Sequence, residues 1–195
     1  TTPDSVMKNL EFAIQNGIHV VVGTTGFDES KLNLLKSMLS KQPKVGALIA
    51  PNFGLGAVLM MQFSQTAAKY FESVEIVEMH HAHKVDAPSG TAIRTAEMIT
   101  AARKQSKKPA MPDSTKSEIS GSRGGKVGDV PVHSIRSHGY VAHQEVIFGD
   151  LGETLTIRHD SINRARFMPG VLIGIRNVAK NPGLTVGLEN YMGGM

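Results

Sequence analysis

The chain has 195 residues, 41% hydrophobic and 19% charged, with a formal net charge of +4 and neither cysteine nor tryptophan. This balance is ordinary for a globular protein and excludes wholesale disorder, disulfide scaffolds, thiolate metal sites and cysteine nucleophiles. No apolar run approaches the roughly 20 residues needed to cross a bilayer, and no signal peptide is visible, so no membrane role is expected and the cytoplasm is the default compartment.

The first fifty residues alternate helix and strand. Thr2 caps a first helix that opens with Pro3 and Asp4, carries Val6, Leu10, Ala13 and Ile14 on one face, and ends at Gly17. The β-branched run 18–22 predicts a strand buried on both faces, and the loop Gly23-Thr24-Thr25-Gly26-Phe27 follows it. A second amphipathic helix over 28–39 (Leu32, Leu35, Leu39) leads to a short strand at 47–50, closed by Pro51-Asn52-Phe53-Gly54. Strand, helix and strand joined by short loops are the grammar of a parallel α/β sheet.

Beyond Gly54 the pattern changes. A long helix is predicted over 55–71, a strand over 73–79, a loop over 80–89 and a helix over 90–104. The Lys, Ser, Pro and Asp-rich stretch 105–122 reads as a mobile connection. Strands at 130–136, 141–148 and 154–159, with glycine turns between them, suggest an antiparallel meander. A last helix over 168–180 stops before Pro182. Basic residues cluster only briefly, at 104–108 and 164–166, and aromatics make up 5% of the chain, so a nucleic-acid surface is not expected.

The densest chemistry lies in Glu78-Met79-His80-His81-Ala82-His83-Lys84-Val85-Asp86-Ala87-Pro88-Ser89-Gly90-Thr91-Ala92. Ser89 is a good N-cap, which puts the backbone N–H groups of Gly90 and Thr91 at the positive end of a helix, suited to a carboxylate. A His and a Lys close together are suited to proton exchange. A metal site on His80, His81 and His83 is disfavoured because adjacent side chains on an extended chain point to opposite sides. On residue types alone, an active site and a solvated polar loop ahead of a capped helix are equally supported.

The string Glu-x-His-His-x-x-Lys-x-Asp-Ala-Pro-Ser-Gly-Thr-Ala resembles the active-site signature of dihydrodipicolinate reductases. Val22-Gly23-Thr24-Thr25-Gly26-Phe27 is similar to the family's nicotinamide-side loop, and Ala50-Pro51-Asn52-Phe53 to its second cofactor loop. Gly121-Ser122-Arg123-Gly124-Gly125, the run 143–148 and Arg164-x-x-Phe167 also recur, in the family's order. One part of the pattern is missing: no G-x-G-x-x-G turn follows a strand. Together with the opening Thr1-Thr2-Pro3-Asp4, this leads to the expectation that about the first third of a family member, a mononucleotide-binding half with its pyrophosphate site, is absent from the chain, which would then bind the dinucleotide poorly and lack full activity.

The resemblance implies an α/β protein: part of a Rossmann-type parallel sheet over 1–53 and 164–195, and an α+β substrate-binding and tetramerisation domain with a mixed or antiparallel sheet over 54–163. It implies NADPH or NADH as cofactor, a small dicarboxylate heterocycle as substrate, a homotetramer, and no metal. His80 would give or take a proton and Lys84 would donate one. His81, Gly90 and Thr91 would bind substrate. Gly23, Thr24, Thr25, Ala50, Pro51, Asn52, Phe53, Arg164 and Phe167 would contact cofactor, with core packing an equal reading for Phe53. Asp86 is expected to turn the loop, with orientation of Lys84 the less favoured reading, and Arg123 is a weaker candidate for a substrate-side loop. Two alternatives are another Rossmann-type dehydrogenase, whose acylating form would need the absent thiol, and a non-enzymatic anion-binding domain.

Overall fold

The computed structural model describes residues 2–193. In chain order the elements are α1 (Pro3–Gln15), β1 (Val20–Val22), α2 (Glu29–Ser40), β2 (Gly46–Ile49), α3 (Leu55–Ala67), β3 (Ser73–His80), α4 (Gly90–Gln105), β4 (Gly125–Val127), β5 (Val130–Arg136), β6 (Ala142–Asp150), β7 (Glu153–Ser161), α5 (Met168–Val178) and β8 (Gly183–Val186). Short 3-10 helices cover Arg164–Phe167 and Leu188–Tyr191. Two compact units emerge: the residues up to Val58 with those from Ala165 on, and Leu59–Arg164. The expected divisions after 53 and before 164 lie about five residues and one residue from these, and α3 runs across the first.

The first unit is a parallel sheet in the order β1-β2-β8. Alternation along the strands sends Val22, Ala47 and Ile49 to one face, where Val6, Leu10 and Ile14 of α1 and Leu35 and Leu39 of α2 complete the core. Val21 and Leu48 face the other way, against Gly174 of α5. The strand expected at 18–22 is shorter and less buried than its composition suggests: Ile18 is 51% exposed, and Val20 and Val21 are half-buried. Among the described residues β1 pairs with β2. β8 supplies the third strand from a segment that showed no pattern before the helix ended.

The second unit is a mixed sheet in the order β4-β5-β3-β6-β7. This corrects the expected three-strand meander, since β5 and β6 are not neighbours. β3 lies between them, parallel to β5 and antiparallel to β6. A parallel partner needs a crossover, and α4 provides it, while β6 and β7 form the one hairpin of the expected set. Central placement suits β3, because its alternate residues Val74, Ile76 and Glu78 are fully buried and both its edges are paired. Val132, Val146 and Phe148 stand beside them in register, and the same buried layer includes Ala92, Ala96, Ile99 and Ala102 of α4. The connection 106–124 contains no helix or strand, but it is not simply loose surface: Arg123 donates to Glu75 and Asp113, and its glycines lead into the unanticipated β4.

Candidate active site

β3 extends one residue beyond expectation, so His80 closes the strand instead of opening the loop. With a two-residue period, Glu78 and His80 share a face. Glu78 has no exposed surface, and its carboxylate gathers donors from three elements. His80 Nδ1 lies 2.5 Å from Oε2. Arg136, the last residue of β5, donates through Nη1 to Oε2 at 2.9 Å and through Nη2 to Oε1 at 2.7 Å. The backbone N–H of Ser89 donates to Oε1 at 3.1 Å. Burial by itself raises this carboxyl, but the hydrogen bonds from His80, Arg136 and Ser134 outweigh it and hold the group at about 2. The same pairing raises the Arg136 guanidinium above its ordinary value.

Arg136 also donates to the carbonyl of Asp86 at 2.7 Å, which ties the loop after β3 to the end of β5. Asp86 accepts from Lys84 Nζ at 2.6 Å, and that bond lowers the Asp86 carboxyl against the opposing effect of burial. Asp86 therefore holds the Lys84 ammonium, in place of the plain turn-forming role expected of it. Ser89 caps α4 as expected, its Oγ accepting from Ala92 N at 3.2 Å. Gly90 and Thr91, next in the chain, have no intrahelical carbonyl four residues back. Gly90 is exposed, with nothing within 4 Å of where a Cβ would stand. A carboxylate can approach that backbone.

His81 and His83 are exposed, with ring centroids 6.4 Å apart, and His83 lies 6.0 Å from His138. Among the described residues no three His, Asp or Glu side chains gather as metal ligands. Arg123 bonds Glu75 at 2.5 Å, toward the other end of β3 from His80, so it serves the loop 106–124 and does not join this cluster.

The first unit holds the other group of expected residues. Gly23, Thr24 and Thr25 leave β1, and Ala50, Pro51, Asn52 and Phe53 leave β2, both at the carboxyl ends of parallel strands, where open α/β sheets bind ligands. The strand register brings the two loops side by side, with Ala50 N donating to Val22 O at 2.8 Å. Asn52 Oδ1 accepts from Gly54 N at 2.8 Å and turns the chain. Phe53 is buried, its ring only 2.9 Å from where a Gly23 Cβ would stand, which favours its packing role. Phe167 lies under the Arg166 guanidinium, 4.2 Å from the ring centroid, whereas Arg164 is exposed.

Sequence reasoning passed over Arg166. Its Nη1 is buried with no hydrogen-bond partner and would stand 2.3 Å from a Cβ on Gly54, and burial lowers the guanidinium below its ordinary value. An orphaned donor beside a position without a side chain, at the carboxyl edge of a parallel sheet, fits a ligand rich in acceptors such as a nicotinamide nucleotide. Glu78 and Arg136 were also passed over, although the spacing Glu78-x-His80 on a strand was a usable signal.

Known proteins resemble this chain over nearly its whole length. Residues 1–53 match the family description "Dihydrodipicolinate reductase, N-terminus" and residues 56–192 match "Dihydrodipicolinate reductase, C-terminus". The chain is 59% identical over 192 residues to a 4-hydroxy-tetrahydrodipicolinate reductase of Mycolicibacterium gilvum, covering 98% of this chain and 78% of that protein. It is 57% identical over 193 residues to the enzyme of the same name from Cutibacterium acnes, covering 99% and 78%. The dipicolinate-bound dihydrodipicolinate reductase from Paenisporosarcina sp. TG-14 superposes with a TM-score of 0.87 at 44% identity, over 97% of this chain and 71% of that one. The chain belongs to the dihydrodipicolinate reductase family.

Proposed function

We propose that this protein reduces the dihydrodipicolinate-type ring derived from 4-hydroxy-tetrahydrodipicolinate to tetrahydrodipicolinate, a step of lysine and diaminopimelate biosynthesis. NADPH or NADH, when bound, supplies the hydride. Gly23, Thr24 and Thr25 hold the nicotinamide and its ribose from one side, and Ala50, Pro51, Asn52 and Phe53 from the other, with Arg164 and Phe167 contributing where the chain returns to the first unit. In the second unit, Gly90 and Thr91 bind a substrate carboxylate through helix-start N–H groups and a hydroxyl, and His81 contacts the ring.

Reduction of a conjugated C=C–C=N system leaves negative charge at its far end. A cation that meets this charge stabilises the transition state more than the ground state. Lys84 donates a proton there, and His80 gives or takes a proton through Nε2, the ring nitrogen not turned to Glu78. The observation that carries the reading is the His80 imidazole held on a buried carboxylate beside the start of α4. The first unit acts as the dinucleotide-binding part and the second as the substrate-binding part. The reading includes a cytoplasmic homotetramer, which family membership supports.

The test is turnover with freshly prepared 4-hydroxy-tetrahydrodipicolinate, followed by the loss of NADPH absorbance. His80→Ala and Lys84→Ala should each lower kcat/KM by roughly two orders of magnitude, the scale of general acid–base catalysis. Unchanged turnover in both would overturn these roles.

A further inference from the structure

We infer that Glu78 is a positioning residue that fixes the tautomer and ring orientation of His80, so that Nε2 is always the nitrogen offered to the substrate. The inference rests on the proposed proton-transfer role of His80. A neutral imidazole carries its hydrogen on either nitrogen, and the partner of one nitrogen decides the state of the other. Facing His80 Nδ1 at 2.5 Å is a carboxylate oxygen, which as an ionised acceptor has no hydrogen to give. Nδ1 must therefore carry the hydrogen, leaving Nε2 with a lone pair in the neutral ring and an N–H in the protonated one. Turning the ring over would break a charge-assisted bond.

Such a clamp holds only if its own base is fixed. Oε1 takes Ser89 N and Arg136 Nη2, and Oε2 takes Arg136 Nη1 as well as His80. The carboxylate is thus pinned by β5 and by the start of α4, and it rises from the central strand of the sheet. Packing alone does not call for an ionised group here, because Val74 and Ile76 fill the preceding positions of the same strand face with hydrocarbon. A buried charge needs donors on all sides to be tolerated, and His80 is one of those donors. The arrangement follows the logic of the carboxylate in a Ser-His-Asp triad, which holds its imidazole in one tautomer and takes no proton itself. Here a guanidinium braces the carboxylate from behind, and the same guanidinium reaches the Asp86 carbonyl in the loop that carries Lys84. The carboxylate therefore sets His80, while the bond to the Asp86 carbonyl is made by Arg136 alone.

The direct test is nitrogen NMR on the protein labelled at its histidines, with His80 assigned by comparison with His80→Ala. The expected spectrum has the Nδ1–H tautomer of His80 near neutral pH. A predominant Nε2–H form would overturn the inference, and this reading requires no change at Glu78. The second test is a double-mutant cycle in turnover. Glu78→Gln should lower kcat by roughly 10- to 100-fold, the loss typical when an orienting outer group is removed, with KM for the dinucleotide unchanged. Added to His80→Ala it should cost little more, because Glu78 acts through the imidazole. Losses that multiply in the double variant would show a merely structural carboxylate and sink the inference. Full turnover of His80→Ala would instead remove the reading of the site on which it depends.

Discussion

Replacing Gly170 by alanine probes how closely α5 presses on the loop that follows β2. Gly170 is buried in the first turn of the helix, and a Cβ built there stands 2.0 Å from the carbonyl oxygen of Phe53 and 2.9 Å from both its carbonyl carbon and Leu188 Cδ2. Ordinary contact begins near 3.4 Å, so helix and loop must part by more than an ångström. The obstacle is backbone, which cannot rotate aside as a side-chain end can. Overpacking of this kind costs about 1–3 kcal/mol, and a backbone obstacle belongs at the upper end. Alanine returns up to about 1 kcal/mol through its better helix propensity. The net expectation is a destabilisation of about 2 kcal/mol, or a Tm lower by roughly 4–8 °C for a chain of this size. Thermal and urea unfolding measure it directly. Gly125→Ala, where an added Cβ meets nothing within 4 Å, is the control and should be near neutral. A Gly170→Ala protein as stable as wild type would refute the close approach.

Two further outcomes follow from the second unit. The Glu78 carboxyl is held at about 2 against an ordinary 4.5, so its contribution is complete above pH 4.5 and is lost as pH falls toward 2. At 1.36 kcal/mol per unit this is on the order of 3 kcal/mol. Urea midpoints measured across that window should fall for wild type and flatten for Glu78→Gln, and parallel curves would show that the carboxyl is not linked to folding. Ser89→Ala removes the cap on Ala92 N and should cost about 1 kcal/mol, read as a Tm lower by roughly 2–4 °C, and an unchanged melt would remove the cap from the account of α4.

Much of this arrangement is legible along the chain, and the exceptions share a cause. Ser89 as a cap, the loops after β1 and β2, and the starts of α2 and α4 are local features, set by residues within a turn of one another, and spacing is enough to find them. The neighbour of β3 is not local. Nothing within 130–136 says that it pairs in parallel with a strand on the far side of a helix, and the hairpin-like glycines suggested otherwise. Arg136 followed the same fate. As an isolated Arg at the end of a strand it has no signal, and only the parallel register that sets it opposite His80 brings its guanidinium to Glu78. Glu78 itself lay inside the recognised string, but a glutamate in a strand of alternating character is ordinarily solvated, and its burial depends on α4 lying across that face.

The parallel pairing of β3 with β5 also bears on the order in which the chain can become competent. Glu78 and Arg136 meet across 58 residues of sequence, whereas Glu78, His80 and Ser89 lie close together along it. Local contacts form readily, but a distant strand must first meet the entropy of closing its loop. Until β5 docks, the carboxylate has no guanidinium to neutralise it and the loop after β3 has no tether to that strand, so the bonds around Glu78 are complete only when the sheet closes.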